Sequence, residues 1–419
     1  MAALEGAINA LAIDSEPAPA PTLLDALAHA PGAAALVVAA LERAEDRKAL
    51  RRAHPQLRDA VGEETVKLEA NFAAAALAAR PPTPRRWPRL EELTLRKFSF
   101  ASLEALGSET WGGLRSLSLY GIRKEMGLSS ARALAAALRR MPALRALELR
   151  RVVVCAERAG GELFSADVAP RLRALTLRTL SARSLRLMEL DLLVQTGWPL
   201  EELHLRVDPG IVPAGVAALV AAPTFAIRRL SLTHCFLRAP ALLSIADAPW
   251  PLEELDLSYN DLSTTAAGPA LEALSRHAGL RSLNLQGCSL NAASFKALVE
   301  AAWPALTSLK APGANVDFAG PYALELDGPA FAGFPALEEL DLSGVPLGEV
   351  GMWLLGTRPW EHLKKLDLRD ARLDVPSAAV LASREWAALE VLDLRGNRLG
   401  WVLTFEVPRL WSPELVVLQ

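Results

Sequence analysis

Arginines return at a fixed interval in the first half of the chain and could bind an anion together. Arg150, Arg178 and Arg206 lie 28 residues apart, and Arg96 precedes them. The planar guanidinium binds carboxylate and phosphate groups through paired hydrogen bonds. Four arginines in one row of a protein with a net charge of −3 repel one another unless an anion meets them. Their spacing therefore predicts a surface for an anionic or acidic partner, provided that the fold brings them together.

Catalytic and metal-binding patterns do not accompany these arginines. The sequence has no GxGxxG, P-loop, HExxH, GxSxG or CxxC pattern. Its histidines are scattered, and we interpret His204 as a contact residue, not as a base. The three cysteines favour a reducing compartment over a disulfide scaffold. We expect an intracellular protein, cytoplasmic or nuclear, that is not an enzyme and uses no cofactor or metal.

A short leucine-rich motif that recurs along the chain determines where the arginines lie. In twelve copies whose first residues are 24 to 31 positions apart, a leucine follows three residues after the opening residue. These leucines are Leu93, Leu117, Leu147, Leu175, Leu203, Leu230, Leu255, Leu283, Leu309, Leu340, Leu366 and Leu392. Another leucine lies two positions later in every copy except the one with Ala311, and a partial copy with Leu415 and Leu418 ends the chain. Such a period predicts one stacked array.

The pattern LxxLxLxx(N/C)xL resembles the leucine-rich repeat family over residues 87–419, nearest its longer, ribonuclease-inhibitor-like class. This resemblance implies an α/β solenoid, a horseshoe with a parallel concave sheet and convex helices. Leucines two residues apart share one face of a strand. Between copies of the motif, Leu134 and Leu138 have helical spacing, and Asn291 is placed to cap a helix. Neighbouring copies must stack to bury both sets of side chains.

Three further features of the repeat are predicted to be structural. Eight of the ten tryptophans precede an opening residue, where each would end a helix and fill the wedge against the sheet. The ninth position holds Asn260, Asn397, Cys235 or Cys288 in four copies, and we expect these side chains to be buried at a turn. Residues 209–227 carry no charge, but their prolines and repeat spacing favour a buried helix over a membrane span.

The outward strand positions are predicted to line the concave face in columns, because neighbouring strands lie about 4.8 Å apart. One column contains Arg96, Tyr120, Arg150, Arg178 and Arg206, and another contains His204, Asp256, Asp341, Asp367 and Asp393. The first half of the face is thus basic and the second half mainly acidic, although Arg369 and Arg395 partly offset the acids. Two interpretations stay open: a groove of graded charge that binds a protein partner, and a polar face that is merely solvated.

The first 86 residues do not repeat and are predicted to form a helical module with Pro-rich tethers. The run of Asp46, Leu50-Arg51, His54, Leu57-Arg58, Val61 and Leu68 resembles a degenerate F-box. That resemblance implies docking on a Skp-type adaptor of a cullin ubiquitin ligase through Leu50, Leu57 and Val61. The usual Leu-Pro opening and late tryptophan are absent, and Pro55 interrupts a helix. The alternative is a helical cap on the first repeat, and residues 63–79 could cap while residues 22–62 dock.

We therefore predict a two-part protein, with a helical module at 1–86 and about twelve repeats plus a partial copy at 87–419. Its function is expected to be protein binding on the concave face, with no membrane or nucleic acid as partner. It is either the substrate-recognition subunit of a cullin-type ubiquitin ligase or a scaffold in a larger complex with no ubiquitin link.

Overall fold

The strands and helices follow the leucine repeat along the chain. The computed structural model describes residues 67–71, 88–96, 103–104, 106–126, 128–154, 162–165, 167–178, 193–206, 213–316, 330–356, 359–383, 386–399 and 416–418. The strands are β1 Lys67–Asn71, β2 Glu92–Arg96, β3 Ser116–Met126, β4 Ala146–Val154, β5 Ala174–Arg178, β6 Glu202–Arg206, β7 Arg229–Thr233, β8 Glu254–Asp256, β9 Ser282–Asn284, β10 Ser308–Lys310, β11 Glu339–Asp341, β12 Lys365–Asp367, β13 Val391–Asp393 and β14 Val416–Leu418. The helices in these residues are α1 Leu128–Arg139, α2 Pro213–Val220, α3 Ala239–Ala246, α4 Ala267–Leu274, α5 Ala292–Glu300, α6 Gly348–Leu355 and α7 Val375–Ala382.

The chain divides into two compact units. The first contains residues 1–121 and 133–145, and the second contains 122–132 and 146–419. In the first unit, β1, β2 and β3 pair in parallel, with Leu68, Leu93 and Leu117 in register. In the second unit, β4 to β14 pair in parallel in chain order. Each unit is therefore an open parallel sheet built from consecutive repeats.

The core consists of the predicted leucines. Leu255 and Leu257 are 1% and 0% exposed, and the leucines at the same positions from β2 to β13 are at most 2% exposed wherever their side chains are described. The strands alternate buried and half-buried residues, as β6 does. Leu134 and Leu138 of α1 are also buried, as their spacing predicted. Since full burial of one leucine contributes about 1.5–3 kcal/mol, this periodic core is the main source of stability.

The two ends of the sheet depart from the predicted pattern. Residues 67–71 were expected to be helical, but they form β1 and pair with β2, so Leu68 belongs to a strand and not to an F-box helix. This copy was missed because Ala70 replaces the usual second leucine. At the other end, Val417 pairs with Leu392, so the predicted register of Leu415 and Leu418 was wrong by one residue. Leu418 is consequently 37% exposed.

Asn260 joins two neighbouring turns through hydrogen bonds. Its Oδ1 accepts from the backbone N–H of Cys235 and of Leu237, both at 3.0 Å. Its Nδ2 donates to the carbonyls of Leu232 at 2.8 Å and Leu257 at 2.6 Å. Asn397 makes the same kind of bridge one strand from the end. The predicted turn role of these asparagines is confirmed, and it satisfies backbone groups that would otherwise be buried unpaired.

The cysteines at the same repeat position are buried thiols. Cys235 and Cys288 are 0% exposed. Cys288 Sγ lies 3.1 Å from the Leu257 carbonyl, and burial raises the pKa of the Cys288 thiol to about 12. A thiol that stays protonated is a poor nucleophile and metal ligand. Among the described residues, no cluster of His, Cys, Asp or Glu is arranged to hold a metal ion.

The helices confirm two further expectations. Asn291 caps α5 by accepting a hydrogen bond from the Ser294 N–H at 2.8 Å. Within the uncharged run 209–227, α2 spans only Pro213–Val220. None of the helices in the described ranges combines the length and the apolar character needed to cross a bilayer.

The tryptophans bond the ends of the helices, a role that their spacing alone did not reveal. The indole N–H of Trp111 donates to the carbonyl five residues earlier, at 3.1 Å, and Trp303, Trp360 and Trp386 do the same at 2.9–3.0 Å. Helix ends leave carbonyls unpaired, so each indole satisfies one of them while filling the wedge. Trp87 and Trp411 lie outside the described residues.

Trp198 and Trp250 are buried without this hydrogen bond. Their indole nitrogens have no partner among the described residues. The carbonyl available to Trp198 is that of Leu193, which accepts from the Thr196 hydroxyl at 2.7 Å. The carbonyl available to Trp250 is that of Ile245, and His277 Nε2 lies 2.8 Å from it. A competing donor therefore occupies the acceptor in both repeats.

The two kinds of tryptophan predict different costs for the same substitution. Trp303→Phe should lower the free energy of unfolding by about 1 kcal/mol more than Trp250→Phe, because only the first change removes a hydrogen bond. Both substitutions remove the same atoms from buried sites, so each serves as the other's control. Urea unfolding followed by circular dichroism measures the difference, and equal losses would contradict it.

The asparagine bridge makes a second stability prediction. Asn260→Ala should destabilise the protein by about 2–4 kcal/mol, because it leaves buried backbone groups in two turns without partners. Asn284→Ala is the matched control, since its half-buried side chain accepts a hydrogen bond from the Gln286 N–H at 3.0 Å. We expect a loss below about 1 kcal/mol for this control. Comparable chemical denaturation midpoints for the two variants would refute the bridging role.

Candidate functional site

The side chains that alternate with the core leucines form the open face of the sheet. Two columns matter in the second unit. The middle column lies between the two leucines of each repeat and contains His204, Ser231, Asp256, Asn284, Lys310, Asp341, Asp367 and Asp393. The end column follows the second leucine and begins with Arg150, Arg178, Arg206 and Thr233. The predicted alignment of the outward positions is therefore confirmed within this unit.

The arginine row is continuous over three strands. Arg150, Arg178 and Arg206 are direct register partners on β4, β5 and β6. Arg96 is paired with Tyr120 in the first unit. For Arg96 and Arg178 the structure describes the backbone but not the side chain. Arg150 forms an ion pair with Glu148 on its own strand, so one member of the row is locally neutralised.

The aspartates of the middle column bind their own backbone. Asp256, Asp341, Asp367 and Asp393 each accept a hydrogen bond from the N–H two residues later, at 2.9–3.2 Å. Such Asx contacts fix the turn that follows the strand. The recurrence of aspartate after leucine along the repeats thus has a structural cause.

Arginines also neutralise the acidic half of the open face. Arg395 donates to Asp393 at 2.5 Å, and Arg369 donates to Asp367 at 2.6 Å and lies 3.5 Å from Asp393. The hydrogen bond from Arg395 holds the pKa of the Asp393 carboxyl below its usual value. The hydrogen bond to Asp367 raises the pKa of Arg369 in turn. Little net negative charge is therefore left for a basic partner at β12 and β13.

Further ion pairs join neighbouring repeats through side chains at, or just before, the start of each strand. Arg228 bonds Glu253 at 2.5 Å, and Lys364 bonds Glu338 at 2.8 Å. Arg173–Glu201, Arg229–Glu202 and Lys365–Glu339 are further pairs of this kind. These side chains are 29–58% exposed, so each pair contributes about 0–1 kcal/mol. They favour the observed strand neighbours more than they create a binding site.

A cleft of about 190 Å³ opens where the arginine row ends. We call it the aromatic cleft, and its lining comprises His204, Leu205, Arg206, Ser231, Thr233, His234, Asp256, Ser258 and Tyr259. The rings of His234 and Tyr259 are stacked, with centroids 4.4 Å apart and planes inclined by 12°. Tyr259 is 47% exposed, so the stack is presented to solvent beside Arg206 and His204.

The aromatic pair occupies a backbone position that glycine holds in four of the seven repeats from β7 to β13. The residue seven positions after the opening has positive φ in His234 (53°), Tyr259 (59°) and Asp370 (53°). Gly287, Gly313, Gly344 and Gly396 take the same position in four other repeats, with φ of 67–76°. A residue with a side chain adopts this left-handed conformation at a cost of about 1–2 kcal/mol. Backbone strain of this kind is concentrated at functional sites.

Sequence reasoning found part of this cleft. His204, Arg206 and Asp256 were predicted as binding residues, and the structure brings them together. His234 and Tyr259 were not predicted as binding residues. The sequence could have indicated them, because other repeats have glycine at the position that they occupy. Asp341, Asp367 and Asp393 lie on strands farther along the sheet, away from the cleft. Leu50, Leu57 and Val61, predicted to dock an adaptor, lie outside the described residues.

Known proteins share the repeat and the fold. A family model described as Leucine Rich repeat matches residues 251–267. A chain in the crystal structure of the Rad7 and Elc1 complex in yeast is 15% identical, with 93% of this chain and 92% of that chain covered and a TM-score of 0.51. A leucine-rich repeat protein of Leptospira interrogans is also 15% identical, with 84% and 100% covered and a TM-score of 0.40. No curated protein sequence matches the chain.

The consecutive parallel strands, buried leucines and polar open face define an α/β repeat solenoid. Twelve registered copies carry the leucine-rich repeat pattern, a leucine-rich repeat model matches one of them, and the fold is shared with a known structure.

The strain at Tyr259 predicts an order of stability between two truncations. Tyr259→Gly should be more stable than Tyr259→Ala by about 1 kcal/mol, because alanine keeps the left-handed strain and glycine relieves it. Both variants lose the stack with His234, so their difference isolates the backbone. Leu243→Gly against Leu243→Ala, in α3, should give the opposite order. Thermal unfolding monitored by calorimetry provides the comparison, and an alanine variant that is the more stable of the Tyr259 pair would disprove the strain.

Proposed function

We propose that the protein recognises a partner protein on the open face of its sheet and has no catalytic role. The observation that carries this proposal is the alignment of polar side chains in register across β4 to β13, opposite a sealed leucine core. Parallel strands hold these side chains at fixed separations, so the surface is rigid before binding. The residues concerned are the arginine row, His204, Asp256, Asp341, Asp367 and Asp393.

A finer proposal makes the chain the substrate-recognition subunit of a cullin-type ubiquitin ligase. Its support is the F-box-like run from Asp46 to Val61, which would dock a Skp-type adaptor. Because Leu68 belongs to β1, the docking segment is limited to residues 22–62, and residues 67–71 begin the repeat array. We accordingly propose that the repeat array begins at about residue 67, before the boundary at residue 86 that the sequence pattern suggested.

The yeast Rad7 and Elc1 complex contains a chain of similar fold beside a second protein, which is consistent with a partner-binding array. At 15% identity this likeness concerns the fold alone, so the adaptor proposal rests on the N-terminal residues. The competing proposal is a scaffold subunit without a ubiquitin link, which needs the open face but no adaptor.

A pull-down distinguishes the two proposals. The wild-type chain should capture a Skp-type adaptor, whereas Leu50→Asp and Leu57→Asp should abolish capture, because a charged side chain cannot be buried in an apolar interface without a partner. Arg206→Glu is the matched control and should still capture the adaptor. Absence of the adaptor from the wild-type sample would reject the ligase role and leave the scaffold.

A further inference from the structure

Arg206 differs from the other arginines of the open face whose side chains the structure describes. Arg150, Arg229, Arg369 and Arg395 each form an ion pair within the described structure. For Arg206, no carboxylate of the described residues lies within ion-pair distance, although its side chain is half-buried in the wall of the aromatic cleft. A guanidinium that is partly removed from water gains most from an anionic partner.

The neighbours of Arg206 are suited to the same ligand. The cleft wall contains the Thr233 hydroxyl, which can donate a hydrogen bond, and the Ser231 hydroxyl, which donates to Asp256 at 3.5 Å. The volume of about 190 Å³ admits one side-chain head group and not a large organic ligand. This geometry favours a carboxylate or phosphate group carried by a flexible chain.

Tyr259 supplies a fixed apolar contact next to this anion site. Its ring is stacked on His234 and also lies against Gly287, where an added Cβ would come within 2.7 Å of Tyr259 Cδ1. Gly287 thus leaves the space that the ring occupies. With the stack on one side and Gly287 close by, the ring is held in place before any partner arrives, which lowers the entropic cost of binding.

We propose that the aromatic cleft and the arginine row bind an extended acidic segment of a partner protein. One acidic side chain enters the cleft and contacts Arg206, and preceding acidic residues run over Arg178 towards Arg150. An apolar side chain on the other side of the first acid packs on Tyr259. This inference rests on the proposed function, because it assigns a partner class to the same open face.

Strand spacing sets the length of the acidic run. Arg150 and Arg206 are two strands apart, which corresponds to about 10 Å at 4.8 Å per strand. An extended peptide advances about 3.3 Å per residue, so about three steps, from the first to the fourth residue, cover the row. The expected segment therefore carries acidic residues over about four positions, followed by a large apolar one.

The carboxylates of the site determine at which end of the arginine row the acidic run stops. Glu148 pairs with Arg150, which weakens that end of the row. Asp256, across the cleft, accepts from the Ser258 N–H at 3.0 Å and lies 3.5 Å from the Ser231 hydroxyl. Its charge disfavours acids beyond the cleft towards β8. The acidic run thus ends at Arg206, and the aromatic pair receives the apolar residue.

Selection from a random peptide library on the full-length chain tests the proposal. The enriched peptides should combine an acidic run with a large apolar residue. A fluorescent peptide with consecutive glutamates followed by phenylalanine should then bind in an anisotropy assay, more weakly at higher salt. Replacement of its glutamates by glutamine should weaken binding by about tenfold or more, and a phosphoserine version tests whether phosphate serves as well.

Variants locate the site. Arg206→Glu and Thr233→Glu should each weaken binding of the peptide by about tenfold or more, and Tyr259→Ala by about fivefold. Lys310→Glu is the matched control: it makes the same change in net charge on the open face at β10, and it should leave affinity within about twofold. Circular dichroism and thermal unfolding establish that every variant is folded.

Three outcomes would overturn the proposal: no acidic enrichment in the selection, equal losses for Arg206→Glu and Lys310→Glu, or equally tight binding of a single-stranded oligonucleotide. The proposed function is judged separately by cross-linking a captured cellular partner. Cross-links to the open face that survive Arg206→Glu would reject the acidic segment and retain the interaction module. Partners cross-linked only to other surfaces would reject the module's open face itself.

Discussion

The burial of two leucine side chains from each strand, between one repeat and the next, is the constraint on which the whole structure depends. A three-residue strand such as β8 has no stability of its own. It exists because Leu255 and Leu257 are sealed between the neighbouring repeats and the helices behind them. The same inward orientation forces the intervening residues outward. One periodicity in the sequence therefore produces both the core and the polar open face.

The sequence predicts the fold wherever a repeat keeps both leucines. The strands from β2 to β13 and the register of Arg150, Arg178 and Arg206 follow from counting positions, since a parallel sheet aligns equivalent residues. Counting failed at the ends. β1 has Ala70 in place of the second leucine, and the last strand could be read in two frames because ELVVLQ offers apolar residues at adjacent positions. Only pairing with the preceding strand chooses between such frames.

The candidate site was less predictable, because a charged residue type does not reveal its partner. Asp341 and Asp393 appeared to be an acidic surface, yet their carboxylates hold the next turn and, for Asp393, an arginine. Arg206 and Arg395 occupy equivalent positions of the repeat motif. Only the carboxylate beside Arg395 in the structure distinguishes them. The stack of His234 on Tyr259 depends on two side chains from successive turns. A comparison of repeats that noticed which ones lack glycine at this position could have suggested it.

The order of the repeats is also encoded in the charges that flank the strands. Arg228, just before β7, and Arg229, its first residue, lie between Glu201 and Glu202 on one side and Glu253 and Glu254 on the other. Excision of that single repeat would keep every leucine in phase, but it would bring four glutamates face to face. By the hydrophobic pattern alone the repeats are therefore equivalent, whereas the flanking charges make each repeat fit only its own neighbours. Removal or exchange of the β7 repeat would consequently destabilise the array through charge repulsion.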